Sequence, residues 1–126
     1  AFLNEKNEFA KDICFKNVNF RYPNTETDSI NNLNLIINSK KKIGFIGNSG
    51  SGKSTFVNLL LGLLNPSKGK ILIDDKDISE NLRNWQRQVG YVSQDIYLLD
   101  DTIRNNIAFG QSDTSINSEY VLNAIR

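Results

Sequence analysis

The stretch Gly47-Asn48-Ser49-Gly50-Ser51-Gly52-Lys53-Ser54 has the residue types and spacing of a phosphate cradle, G-x-x-x-x-G-K-[ST]. A triphosphate brings several negative charges and many acceptor oxygens. Glycines let a backbone curl through positive φ, so that successive N–H groups converge on one anion. A helix opening at Lys53 adds the free N–H groups of its first turn and the positive end of its dipole. Lys53 is then expected to reach the β- and γ-phosphates, and the Ser54 hydroxyl to ligate a Mg²⁺ that bridges them. The bland alternative is a glycine-rich turn between a strand and a helix. The flanks favour the cradle, because the apolar run Lys42–Ile46 leads into it and the apolar helical pattern from Lys53 to Leu64 leads out.

Two more segments carry groups that a nucleotide site needs. Phe20-Arg21-Tyr22-Pro23 precedes the loop and offers an aromatic face. A ring stacked on a base contributes ~1–3 kcal/mol in comparable sites. The plainer reading of Tyr22 is an aromatic at a strand end. Val89-Gly90-Tyr91-Val92-Ser93-Gln94-Asp95 ends an apolar run on an amide. The side-chain carbonyl of Gln94 can coordinate a hard cation, although a single glutamine in a loop is by default solvated.

The elements that must position these groups show in the hydrophobic pattern. Asp12 to Phe20 reads as a half-buried strand with Ile13, Phe15, Val18 and Phe20 inward, and Ile30 to Ile37 as a second. Pro23-Asn24 marks a loop between them. Lys42–Ile46 and Val89–Ser93 read as short buried parallel strands. The helix from Lys53 is expected to end at Asn65-Pro66, since proline disfavours helical geometry in the residue before it. Ile71–Ile73 reads as a strand, Asp74–Asp77 as a turn, and Ser79–Gln88 as a short helix capped by Ser79. From Asp101 two helical pieces are expected, broken near Gly110–Ser112. The order implies an antiparallel layer beside the start of an α/β sheet.

Composition excludes several function classes. Fifteen basic and 14 acidic residues among 126 leave a net charge of +1, which gives no electrostatic case for nucleic acid. Lys40-Lys41-Lys42 reads as a solvated turn. The chain has no histidine, which argues against a catalytic triad and most zinc sites. Cys14 is the one cysteine, so no internal disulfide can form and a reducing compartment is expected. No apolar run approaches the ~20 residues that span a bilayer.

Taken together, these segments closely resemble the front half of an ABC-transporter ATPase domain of the exporter type. The likeness rests on Tyr22, on the loop with Thr55 after it, on Gln94, and on Ile96-Tyr97-Leu98-Leu99-Asp100-Asp101-Thr102-Ile103-Arg104-Asn105-Asn106-Ile107. It covers about residues 12–126, with residues 1–11 read as a linker tail. It implies a P-loop NTPase fold, α/β, with an antiparallel β-subdomain and the start of a helical subdomain. It further implies ATP and Mg²⁺ as ligands, with Tyr22, Asn48, Ser49, Gly50, Ser51, Gly52, Lys53, Ser54, Thr55 and Gln94 on the nucleotide. Ser54 and Gln94 would hold the metal, Thr55 would lie near the α-phosphate, and Lys53 and Gln94 would serve catalysis. The implied partners are a transmembrane exporter domain and a second nucleotide-binding domain in a head-to-tail dimer, at the cytoplasmic face of the inner membrane.

The family's signature loop, Walker B aspartate with its catalytic glutamate, D-loop and switch histidine have no counterpart here. Asp74-Asp75 is not preceded by the four apolar residues of a Walker B strand, and neither it nor Asp100-Asp101 is assigned that role. Both ends look cut, so the chain is expected to be a fragment that binds nucleotide without turning it over. Two other readings stay open: a non-hydrolysing nucleotide-binding module, and an ABC-type ATPase acting on nucleic acid. A small-molecule kinase would not need Tyr22 and Gln94 at these spacings.

Overall fold

The structure is a computed structural model that describes residue 9 and residues 11–126. The rest of the segment read as a linker tail lies outside the described residues. The chain divides into two compact units, the first running to Gly90 and the second spanning Tyr91–Arg126.

The first unit is built on a four-stranded antiparallel sheet in the order β2-β1-β3-β4. The strands are β1 (Asp12–Phe20), β2 (Ile30–Asn38), β3 (Lys68–Ile73) and β4 (Lys76–Asp77). Side chains alternate across a strand, so Ile13 and Phe15 inward would put Asn17 and Asn19 inward next. A bulge prevents this. The pairing with β2 skips between Phe15 and Val18, and Asn17 sits at φ 50°. One extra residue returns Val18 and Phe20 to the core face, where they are 0% and 7% exposed. The simple alternation expected from the sequence therefore needs correcting by one inserted residue. Asp74 and Asp75, at φ 49° and 67°, make the two-residue turn joining β3 to β4. Two left-handed residues in a row match the twist of a tight hairpin.

Helix α1 (Lys53–Leu60) lays Phe56 and Leu59 on that sheet. Phe56 stacks on Phe15 with ring centroids 4.9 Å apart. Ile71, Ile78 and Trp85 complete the core. A 3₁₀ turn (Ile78–Asn81) leads into α2 (Leu82–Arg87). The cap here is Asp77, whose carboxylate accepts from the Ser79 N–H, and not Ser79 as the sequence indicated.

Three further expectations are corrected. Helix α1 stops at Leu60, well before Pro66. Gly62, at φ 67°, ends it: Leu63 N–H reaches Asn58 O at 2.9 Å and Gly62 N–H reaches Leu59 O at 3.0 Å, the Schellman closure of a helix. Lys42–Ile46 and Val89–Ser93 are not strands; both run without regular structure. A parallel strand is defined by its neighbours' hydrogen bonds, and all the pairings among the described residues are antiparallel. Phe45 still packs, its ring 4.5 Å from that of Phe56, while Ile46 is fully exposed.

The second unit holds α3 (Ile103–Ile107) and α4 (Ser118–Ile125). Thr102 caps α3 by accepting from Asn105 N–H, and Asn117 caps α4 by accepting from Glu119 N–H. The Arg104 guanidinium donates to Ile116 O at 3.1 Å, beside the buried Ala108 and Ile116. Asn106 ties down the preceding loop: its amide accepts from Leu99 N–H at 2.7 Å and donates to the carbonyls of Leu99, Asp101 and Thr102.

Candidate functional site

The loop Gly47–Gly52 closes on itself before α1 begins. Ser51 N–H donates to Asn48 O at 3.2 Å. Gly50 and Gly52 take φ 78° and 88°, values that a side chain resists. Space is as tight as conformation. A Cβ on Gly47 would stand 2.6 Å from the Ser51 hydroxyl, and one on Gly52 would stand 2.7 Å from Ser29 O. Gly52 is also the N-cap of α1, and no side chain caps that end. The first N–H groups of a helix have no partner within it. Here they open onto the loop, with no carboxylate in Gly47–Ser54 to compete for them.

Lys53 folds back across this loop. Its ammonium donates to Gly47 O and Asn48 O, each at 2.8 Å, and to the Ser51 hydroxyl at 3.3 Å. Three donors on one ammonium are thus all engaged, two of them by backbone carbonyls. The result is a cation fixed at the mouth of an uncapped helix, a site for an anion. Asn48, Ser49, Gly50, Ser51 and Ser54 are exposed.

Thr55, in contrast, is 6% exposed, and its hydroxyl is 3.2 Å from that of Tyr22. Tyr22 itself is held edge-on to Phe20, with centroids 4.9 Å apart and planes at 90°, and it remains 37% exposed. The structure therefore brings together Tyr22, the loop and Thr55. Gln94 belongs to the second unit, where it is exposed in a bend beside Ser93, whose hydroxyl donates to Asp95 O. The Asp74-Asp75 pair forms the turn between β3 and β4. Asp75 pairs with Lys11, whose ammonium hydrogen-bonds it and holds the carboxyl below its ordinary range. Among the described residues no cluster of three or more metal-ligating acids, cysteines or histidines occurs.

Sequence reasoning missed the support at the far end of α1. The Trp85 indole N–H donates to Leu60 O at 2.7 Å and the Gln86 amide to Leu61 O at 3.0 Å. A buried tryptophan needs a partner for its N–H, which was the one available signal. Which carbonyl would supply it, 25 residues away, could not be read from the pattern.

Known proteins with this pattern are ABC transporters. Residues 30–125 match the family described as ABC transporter. The chain is 46% identical over 101 residues to the ATP-dependent lipid A-core flippase of Blochmanniella floridana, covering 79% of this chain and 17% of that protein. It is 43% identical over 120 residues to the leukotoxin translocation ATP-binding protein LktB of Mannheimia haemolytica, covering 94% of this chain and 17% of that one. A solved structure of a bacterial Atm1-family ABC exporter with ATP bound superposes with a TM-score of 0.72 at 35% identity, over 82% of this chain and 18% of the exporter. The chain thus spans less than a fifth of the length of these relatives. No helix among the described residues is long and apolar enough to cross a membrane. With a P-loop NTPase fold and most of its length inside the family match, the chain belongs to the ABC transporter family.

Proposed function

We propose that this chain is the phosphate- and adenine-binding part of an ATPase that drives export across a membrane. One observation carries the reading: the Lys53 ammonium is fixed by Gly47 O and Asn48 O over the uncapped N-terminus of α1. The nucleotide's phosphates would lie against the backbone of Asn48–Gly52 and the first turn of α1. To reach a phosphate oxygen, Lys53 must release one present partner. The Ser51 hydroxyl, at 3.3 Å the longest of the three contacts, is the one to yield. The phosphate thereby replaces a long contact to an uncharged hydroxyl with one to an anion. Tyr22 would stack on the base, and Thr55 would lie near the α-phosphate.

The donor set also suits Mg²⁺. Ser54 presents an exposed hydroxyl on the first turn of α1. A magnesium ion keeps several waters and takes few protein oxygens beside those of the phosphates. Ser54 would supply one of those ligands. When bound, the ion offsets charge developing on the phosphates. The chain has no histidine, and the glutamates among its described residues, Glu26, Glu80 and Glu119, lie in a loop, the 3₁₀ turn and α4, not at the end of a strand. The chain by itself therefore binds nucleotide and does not turn it over, while the full-length protein hydrolyses ATP as a head-to-tail dimer with a transmembrane partner, at the cytoplasmic face of the membrane. The cargoes named for two relatives, lipid A-core and leukotoxin, differ although both match over this region. Cargo choice lies outside it.

The test is MgATP binding and hydrolysis by the full-length protein and by Lys53→Ala. Loss of one charge-assisted contact should weaken binding about ten- to a hundredfold, and hydrolysis should fall with it. Equal affinity in the two proteins would overturn the reading. Steady turnover by the isolated chain, lost in Lys53→Ala, would overturn its fragment-level part alone.

A further inference from the structure

The last three carbonyls of α1 and that of its C-cap Leu61 all have partners, and α2 supplies half of them. Leu63 N–H and Gly62 N–H satisfy Asn58 O and Leu59 O. The Trp85 indole and the Gln86 amide satisfy Leu60 O and Leu61 O. The grip is close as well as polar. Gly62 lies so near Leu82 that a Cβ there would stand 2.2 Å from its Cδ1. Trp85 is 8% exposed, with Phe9 packed edge-on against it at 6.1 Å. A helix of eight residues is about 12 Å long and moves as a rod. A tilt or slip at its C-terminus therefore displaces the loop at its N-terminus, where about 1 Å decides whether a positioned group engages its ligand.

We propose that Trp85 and Gln86 are positioning residues for the phosphate loop: by holding the C-terminal carbonyls of α1 they set where Lys53 and the first-turn N–H groups stand. This rests on the nucleotide reading of that loop. Gln86 separates the role from simple packing, since it is itself exposed while its side-chain amide donates to Leu61 O, the C-cap carbonyl of α1.

The experiment measures MgATP affinity and ligand-free thermal unfolding on the full-length protein, comparing the wild type with Gln86→Leu, Gln86→Lys and Trp85→Phe. Gln86→Leu removes the donor and should weaken binding roughly three- to tenfold, the worth of one hydrogen bond. Gln86→Lys keeps a donor of similar reach and should restore affinity, with the two Gln86 variants unfolding at similar temperatures. Trp85→Phe keeps the ring, loses the N–H, and should weaken binding in the same direction. If Trp85→Phe does not fold, the Gln86 pair decides. A wild type that binds while Gln86→Leu binds equally well, or Gln86→Lys no better than Gln86→Leu, overturns the positioning role alone. A wild type that does not bind overturns the nucleotide reading and this inference together.

Discussion

The two ends of α1 are finished in opposite ways. At the C-terminus every orphan carbonyl is paired, two by a Schellman turn around Gly62 and two by side chains of α2. At the N-terminus Gly52 supplies no cap at all. A side-chain cap there would contribute roughly a few tenths of a kcal/mol more than glycine. The sequence forgoes it with a glycine and leaves the N–H groups for another partner. Backbone groups left unpaired at one end, beside a fixed lysine, fit the phosphate ligand proposed above. The same groups paired completely at the other end are explained by the need for a fixed axis.

The largest way to break this contrast is to close the open end. Gly52→Ala forces a side chain to φ 88° and places its Cβ 2.7 Å from Ser29 O. Strain of about 1–3 kcal/mol is expected from the backbone alone, so the melting temperature and MgATP affinity should fall together. Lys53→Ala should separate those two readouts, lowering affinity while leaving the melting temperature near that of the wild type. A parallel fall of both in Lys53→Ala would mean that the lysine braces the loop and does little else. Tyr22 sharpens the comparison on a smaller scale. Tyr22→Ala should cost binding about 1–3 kcal/mol of stacking. Tyr22→Phe keeps the ring, loses only the hydroxyl contact with Thr55, and should cost about 1 kcal/mol or less. If the two variants bind alike, the ring does not stack on the base.

The contrast also marks what the sequence could show. The open end was legible as a glycine turn running into a helix, because its residue types and spacing all lie within one short stretch. The closed end was not, because Trp85 meets Leu60 and Gln86 meets Leu61 through tertiary structure. The helix stop at Gly62 was visible as a glycine but lost to the louder Asn65-Pro66. Strands β1 and β2 were found because alternation is local, yet the bulge at Asn17 escaped, since the gap between Phe15 and Val18 still looks like alternation. Lys42–Ile46 and Asp12–Phe20 are both apolar enough for strands. Only the second finds partners among the described residues, and pairing is what no single run of residues contains.

The smallest expected effect acts on the closed end alone. Asp77 caps the 3₁₀ turn that leads into α2, and so into Trp85 and Gln86. The Ser79 hydroxyl and then the Ser79 N–H hold its carboxyl below the ordinary range. A carboxyl whose folded-state pKa is lowered favours the folded state once it is ionised. That contribution is complete above the ordinary pKa, near 4, and fades as the pH falls through the lower folded value. The loop Gly47–Ser54 contains no acid to titrate over the same range. Acidification below pH ~4 should therefore loosen the 3₁₀ turn that leads into α2, read as a lower protection of the Ser79 amide relative to its intrinsic exchange rate at each pH, before it alters the loop. Asp77→Ala, which has no carboxylate, should show that lower protection already at neutral pH and lose the acid dependence. Exchange at Ser79 that stays slow in Asp77→Ala would mean that packing of Ile78, not the cap, holds the turn that carries α2.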